Sequence, residues 1–179
     1  MSEFQAALLL DRLAHLDAEN AHRAARAATL RDLMDGMPGV TMLSTPPEVT
    51  SQTYYNLVLR FDLDHFAGHS IDIIALALAE ELNTGIYPLY KPMNRHPLYQ
   101  PLKAPRGGLS DQEWQRRDSA RFAIPTAERT RGSCLTLTHP VLLDDDASMK
   151  DIARAIEKVQ ALAADLREVI VDAPAQQAF

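Results

Sequence analysis

The sequence contains very few residues that could form cross-links or bind phosphate. Cys134 is the only cysteine among 179 residues, so an internal disulfide and a multi-cysteine metal site are both excluded. It lies in the apolar run 134–138, which predicts a small buried residue rather than a nucleophile. The seven glycines are scattered. None forms a phosphate-binding loop, because Gly107 and Gly108 are not followed by the lysine and hydroxyl residue that such a loop requires.

Long apolar runs and an excess of positive charge are also missing. No apolar stretch is long enough to span a membrane, and the amino terminus lacks the basic-then-apolar order of a secretion signal. We therefore expect a cytoplasmic protein with no membrane partner. The net charge of -6 argues against a nucleic-acid partner. The one locally basic stretch, 116–131, also contains acidic residues and is predicted to be solvated surface.

The remaining composition is that of an ordinary globular protein. Apolar residues make up 46% and charged residues 23% of the chain, which favours one domain over residues 1–179 with a frayed tail at 172–179. Ser2 followed by Gln5 predicts a capped helix from Ser2 to about Met34. Helical spacing predicts further helices over 70–82, with Leu76 on the buried side, and from Ser148 onwards with Asp151 as its capping partner.

Short extended segments alternate with these helices. Strands are predicted at 40–43, 54–61 and 135–138, with a short extended piece after Gly85. Prolines interrupt most of 87–125, and a long irregular segment of this kind in a compact domain is usually functional. The order of elements predicts an α+β fold, in which a small, largely antiparallel sheet carries helices on one face and a long amino-terminal helix.

One group of residues could in principle bind a metal. Asp62, Asp64, His65 and His69 follow a predicted strand, but they lack the glutamate of a metalloprotease pair. We interpret them as a polar loop and helix cap, and predict no metal site.

Four stretches, taken in order, resemble the carboxy-terminal lobe of the DegT-type aminotransferase family. The resemblance is to its branch acting on keto-cyclitols of the scyllo-inosose type and on aminohydroxybenzoate precursors. Each motif alone is weak, but the series covers nearly the whole chain. The stretches are 1–9, 33–40, 85–99 and the discontinuous segment formed by 122–129, 137–143 and 152–159.

The resemblance implies the small lobe of a fold-type I pyridoxal-phosphate enzyme. In such enzymes a separate domain holds the cofactor and its lysine, while the small lobe closes over the substrate. By position, the substrate-facing loop is 87–99, and its candidate substrate-binding residues are Tyr90, Asn94, Arg95 and His96. The alternative is that these residues only pin an irregular loop to the sheet.

The family's imine-forming lysine is not expected in this chain. Its four lysines are Lys91, Lys103, Lys150 and Lys158, and none has the strand-end setting with following glycines that the family lysine has. We therefore expect no catalytic or cofactor-binding residue here, and pyridoxal phosphate only when a cofactor-binding domain or subunit completes the chain.

The resemblance thus implies part of an aminotransferase of antibiotic or sugar biosynthesis that acts on a keto-sugar or keto-cyclitol. It also implies an oligomer and a cofactor-binding partner that packs on the first helix. The alternative is a non-catalytic binding module derived from the same lobe. The keto substrate, the amino donor and the oligomeric state stay open at this point.

Overall fold

The computed structural model describes residues 1–96, 108 and 110–166. Their helices are α1 (Glu3–Met34), α2 (Ile71–Leu82), α3 (Asp111–Arg116), α4 (Pro125–Arg131) and α5 (Asp146–Ala161). Their strands are β1 (Val40–Met42), β2 (Asn56–Phe61), β3 (Ile86–Pro88) and β4 (Cys134–Thr138). The predicted tail at 172–179 lies outside the described residues.

The four strands form one sheet in the order β1-β2-β4-β3, and all three neighbouring pairs are antiparallel. Alternate residues of β2 are buried, Leu57, Leu59 and Phe61, while Arg60 is exposed. In β4 the buried Leu135 lies opposite Leu59. This period of two places an apolar layer on one face of the sheet. The α+β fold with helices on one face is therefore confirmed.

The core lies between this apolar face and the helices. α2 contacts both β3 and β4, and α5 contacts α1 and α2. In α5 the buried residues Ile152, Ile156 and Val159 follow helical spacing, as predicted. Leu76 of α2, however, is 39% exposed, so its predicted burial is wrong. The buried side of that helix is formed instead by Ile71, Ile74, Ala75 and Leu78.

The amino-terminal cap of α1 is present as predicted. The Ser2 hydroxyl accepts a hydrogen bond from the Gln5 amide, and the Gln5 side chain accepts one from the Ser2 amide. This reciprocal pair satisfies two of the backbone donors that a helix start leaves without partners.

The predicted start of the last helix at Ser148 is wrong. α5 begins at Asp146, because the Asp145 carboxylate accepts a hydrogen bond from the Ser148 amide and so acts as the cap. The same bond lowers the pKa of Asp145. Asp151 pairs instead with Arg154 at 3.4 Å.

The helix α3 was not predicted within the proline-rich segment. It has its own capping box, in which the Ser110 hydroxyl accepts from the Glu113 amide and the Glu113 carboxylate accepts from the Ser110 amide. The sequence signal was present as Ser110 followed three residues later by Glu113.

Candidate functional site

The loop that carries the predicted substrate-binding residues leaves the sheet at the end of β3. After Pro88 the chain runs to a single 3-10 turn, Met93–Arg95. Tyr90 is 66% exposed and Asn94 only 9%. The Arg95 side chain is 61% exposed, and His96 is half-buried. The rest of the predicted loop, 97–99, lies outside the described residues.

Asn94 joins this turn to the segment before α4. Its Nδ2 donates to the Phe122 carbonyl at 2.7 Å, and the Ser119 hydroxyl donates to the Asn94 carbonyl at 3.2 Å. Its Oδ1 is buried and has no hydrogen-bond partner among the described residues. For Asn94 these contacts favour the pinning interpretation, because both known partners are backbone or side-chain groups of its own lobe.

We expect Asn94→Ala to lower the free energy of unfolding by about 0.5–1.5 kcal/mol, since the hydrogen bond from Asn94 Nδ2 to the Phe122 carbonyl is lost. Asn94→Asp is the informative second variant, because it keeps the size of the side chain and replaces the donating Nδ2 with an acceptor. Urea denaturation of both variants measures the effect. Two variants as stable as the parent chain would show that Asn94 does not hold this loop.

Among the described residues, Arg95 is held by a side chain of α4. Its Nε donates to Glu128 Oε1 of α4 at 2.9 Å. Because both side chains are partly exposed, this ion pair is worth only about 0–1 kcal/mol. The Nη atoms of Arg95 make no hydrogen bond with any of residues 1–96, 108 and 110–166, so they are available to another group.

A depression in the described part of the chain lies at the same edge of the sheet as this loop. The edge is formed by the ends of β2 and β3 and the start of β4, since Arg60 lies opposite Cys134 and Pro88 opposite Leu135. The depression has a volume of about 740 Å³, and we call it the sheet-edge pocket. Its polar lining residues are Thr41, Arg60, Asp62, Asp64, Arg129 and Ser133.

The helix α4 connects the predicted loop to the sheet-edge pocket. Glu128 binds Arg95, and the next residue, Arg129, lines the pocket. None of the four candidate residues lines the pocket itself. Sequence reasoning missed it because Arg60 and Arg129 are brought together only by the pairing of β2 with β4. The one signal was the position of Arg60 on the polar face of β2.

The described lysines lie in exposed positions. Lys91 is in the loop after β3, and Lys150 and Lys158 are on the outer side of α5. Lys158 pairs with Glu81 of α2 at 2.6 Å. Lys103 lies outside the described residues. None of the described lysines is buried as an imine-forming lysine in a closed cofactor site would be.

The histidines and aspartates after β2 do not gather into a metal centre. His69 Nε2 lies 2.9 Å from the Ala163 carbonyl, and the His65 ring lies against the Pro38-Gly39 turn. In the part of the chain that the structure describes, no three His, Cys, Asp or Glu residues come close enough to hold a metal ion.

No described helix is both long and apolar enough to cross a membrane.

The amino-terminal half of α1 carries an exposed apolar surface. Its six large apolar residues are Phe4, Leu8, Leu9, Leu10, Leu13 and Leu16, which are 41–73% exposed. From Arg23 onwards the helix packs on the lobe, with Ala27 and Leu30 fully buried. A partner that packs on the first helix, as the resemblance implies, needs an exposed apolar surface there, and Phe4, Leu8, Leu9 and Leu10 are exposed.

Comparison with known proteins identifies aminotransferases as relatives. Residues 1–157 match the model of the DegT/DnrJ/EryC1/StrS aminotransferase family. The L-glutamine:2-deoxy-scyllo-inosose aminotransferase of Streptoalloteichus tenebrarius is 38% identical over 159 residues, which are 89% of this chain and 37% of that protein. The enzyme of the same name from Micromonospora echinospora is 39% identical over 169 residues, which are 93% of this chain and 39% of that protein.

A solved structure supports the fold. The 3-amino-5-hydroxybenzoic acid synthase structure superimposes with a TM-score of 0.61 at 22% identity, over 83% of this chain and 36% of that one. The chain therefore spans less than two fifths of the length of these relatives. With a family match over 157 residues, the chain belongs to the DegT/DnrJ/EryC1/StrS aminotransferase family.

Proposed function

We propose that this chain is the carboxy-terminal part of a pyridoxal-phosphate-dependent aminotransferase and acts on a keto-sugar or keto-cyclitol in the cytoplasm. In this proposal it is inactive until a cofactor-binding domain or subunit joins it. The observation that carries the proposal is the exposed apolar half of α1. It occurs in a chain that spans only 37–39% of the aminotransferases it resembles.

The spacing of residues along α1 supports a docking role for its first half. Leu9, Leu16, Arg23 and Leu30 recur every seven residues, as do Leu13, Asn20, Ala27 and Met34. Two such columns form one continuous stripe on a helix. In its second half the stripe is buried against the lobe, whereas in its first half Leu9, Leu13 and Leu16 are exposed. The same stripe thus continues past the lobe, and we assign the cofactor-binding domain to the exposed part.

The described residues do not fit pyridoxal phosphate by themselves. The cofactor needs a lysine for its imine in a site closed from water, and the described lysines are exposed. We therefore assign cofactor binding to the partner domain, and to this chain the task of covering and orienting the substrate.

A trapping experiment tests this division. The purified chain mixed with pyridoxal phosphate and reduced with borohydride is expected to give no stoichiometric adduct at a single lysine, only scattered low-level labelling of exposed amines. Peptide mass spectrometry measures the site and extent of labelling. Stoichiometric labelling of Lys91 or Lys103 would show that the chain holds the cofactor itself.

The nature of the substrate rests on the loop and on the relatives. The two relatives described above are named for transfer from L-glutamine to 2-deoxy-scyllo-inosose. Tyr90 and Arg95 of the candidate loop are exposed, and their hydroxyl and guanidinium groups suit a neutral, hydroxyl-rich ring. Asn94 and His96 complete the proposed substrate-binding set. Asn94 would act there mainly by shaping the loop.

Binding between the two parts tests the proposal directly. The cofactor-binding domain of the Streptoalloteichus tenebrarius enzyme, produced separately, is expected to form a complex with this chain in sedimentation velocity experiments. Leu9→Glu combined with Leu16→Glu should abolish the complex. Arg154→Ala, on the exposed surface of α5, is the matched control and should leave it unchanged. A chain that does not bind the domain, or binds it equally well without these leucines, would favour the non-catalytic alternative.

A further inference from the structure

The sheet-edge pocket contains two arginines that the described part of the lobe does not neutralise. Arg60 is exposed on the open face of β2, between the buried Leu59 and Phe61. Arg129 lies near the end of α4. Neither guanidinium has a hydrogen bond or an ion pair with any other residue in the described ranges 1–96, 108 and 110–166. As far as the described residues go, both cations are therefore open to an anion.

The same pocket contains two carboxylates that are separate from these cations. Asp62 and Asp64 line it, and the Asp62 Oδ1 accepts a hydrogen bond from the Asp64 amide at 3.4 Å. Within the described residues neither carboxylate lies within ion-pair distance of Arg60 or Arg129. The pocket thus contains positively and negatively charged side chains that are not paired with each other.

The remaining lining of the depression combines apolar and polar groups. Its volume of about 740 Å³ falls in the range of about 300–1,000 Å³ that is usual for such sites. Val40, Phe61 and Leu63 provide apolar surface, and Thr41, opposite Arg60 in the β1–β2 pair, provides a hydroxyl group. An apolar wall with a few convergent polar groups is the usual composition of a ligand pocket.

We propose that the sheet-edge pocket binds the head group of a free amino acid. Arg60 and Arg129 bind its carboxylate, and Asp62 and Asp64 bind its ammonium group. A zwitterion matches this pocket because it carries both charges at one end and leaves the rest of the molecule for the apolar wall. Guanidinium groups suit a carboxylate because they can donate two parallel hydrogen bonds. The proposal goes beyond the proposed function, since it requires neither a cofactor nor a second domain.

The test is a titration of the isotope-labelled chain followed by amide NMR. L-Glutamine is the probe, and saturable shifts are expected at Thr41, Arg60, Asp62 and Ser133, with a dissociation constant in the millimolar range. Two analogues of L-glutamine test the two charged groups one at a time. Glutaramate lacks the ammonium group, and 4-aminobutanamide lacks the carboxylate. Each should bind about tenfold or more weakly than L-glutamine, because each leaves one pair of charged residues without its partner.

Variants assign the contacts. Arg60→Met and Arg129→Met should each weaken binding of L-glutamine about tenfold or more, and Asp64→Asn should remove the preference for L-glutamine over glutaramate. Arg116→Met, at an exposed arginine of α3 outside the pocket, is the matched control and should bind like the parent. The proposal is overturned by the absence of saturable shifts, by parental binding in Arg60→Met, or by equal binding of glutaramate and L-glutamine to the parent chain.

Discussion

Leu30→Glu is expected to unfold the chain, whereas Leu8→Glu combined with Leu9→Glu is expected to leave its stability almost unchanged. Leu30 is 0% exposed, while Leu8 and Leu9 are 54% and 50% exposed on the same helix. Losing the buried leucine removes about 1.5–3 kcal/mol, and a buried unpaired carboxylate adds several kcal/mol more. Together these costs approach the whole stability of a typical domain, about 5–15 kcal/mol.

Thermal unfolding followed by circular dichroism measures the stability of both variants, and sedimentation measures their self-association. The double variant should also self-associate less and bind less hydrophobic dye, because the exposed leucines are the surface that attracts other molecules. If the double variant lost several kcal/mol of stability, Leu8 and Leu9 would belong to the core of this chain, and α1 would have no free surface for a partner domain.

Arg95→Ala is expected to lower turnover of the keto substrate about ten- to a hundredfold in the assembly of this chain with a cofactor-binding domain. The substitution removes a hydrogen bond from a charged donor, which is worth about 1.5–3 kcal/mol. Each increase of about 1.4 kcal/mol in the activation free energy lowers the rate tenfold. Binding of the cofactor should not change, since we assign its contacts to the other domain. The absorbance of the bound cofactor and the steady-state rate are the two measurements.

Two further variants separate a substrate contact from a structural role. Glu128→Gln weakens the ion pair that holds Arg95 Nε but keeps the guanidinium, so its effect should be smaller than that of Arg95→Ala. Arg154→Ala removes an exposed arginine whose carboxylate partner is on its own helix, and it should have the parental rate. Parental activity in Arg95→Ala would mean that the loop only supports the lobe.

The parts of the fold that were predictable are those set by local sequence. The capping box at Ser2 and Gln5 depends on residues close together in the chain, and it was correct. The strand predicted at 54–61 was also found, although β2 begins only at Asn56. The start of α5 was wrong because Asp145 and Ser148 are both good caps. Only the observed bond from the Ser148 amide to Asp145 distinguishes them.

The candidate site was less predictable because long-range contacts decide it. The resemblance identified the loop with Tyr90, Asn94, Arg95 and His96, and their role in substrate binding stays a prediction. It did not identify Glu128 as the partner of Arg95, nor the pocket beside α4. These contacts join residues far apart in sequence, and no local pattern specifies which distant side chain a loop will meet.

The central claim is that this chain supplies the missing lobe of an aminotransferase. The most direct measurement is amino transfer from L-glutamine to 2-deoxy-scyllo-inosose by the chain alone, by the separately produced cofactor-binding domain of the Streptoalloteichus tenebrarius enzyme, and by their mixture. We predict no activity in either part and measurable transfer in the mixture, which disappears when Leu9 and Leu16 are both changed to glutamate. A stable, cofactor-loaded complex that transfers no amino group, or activity of the chain alone, would contradict this account.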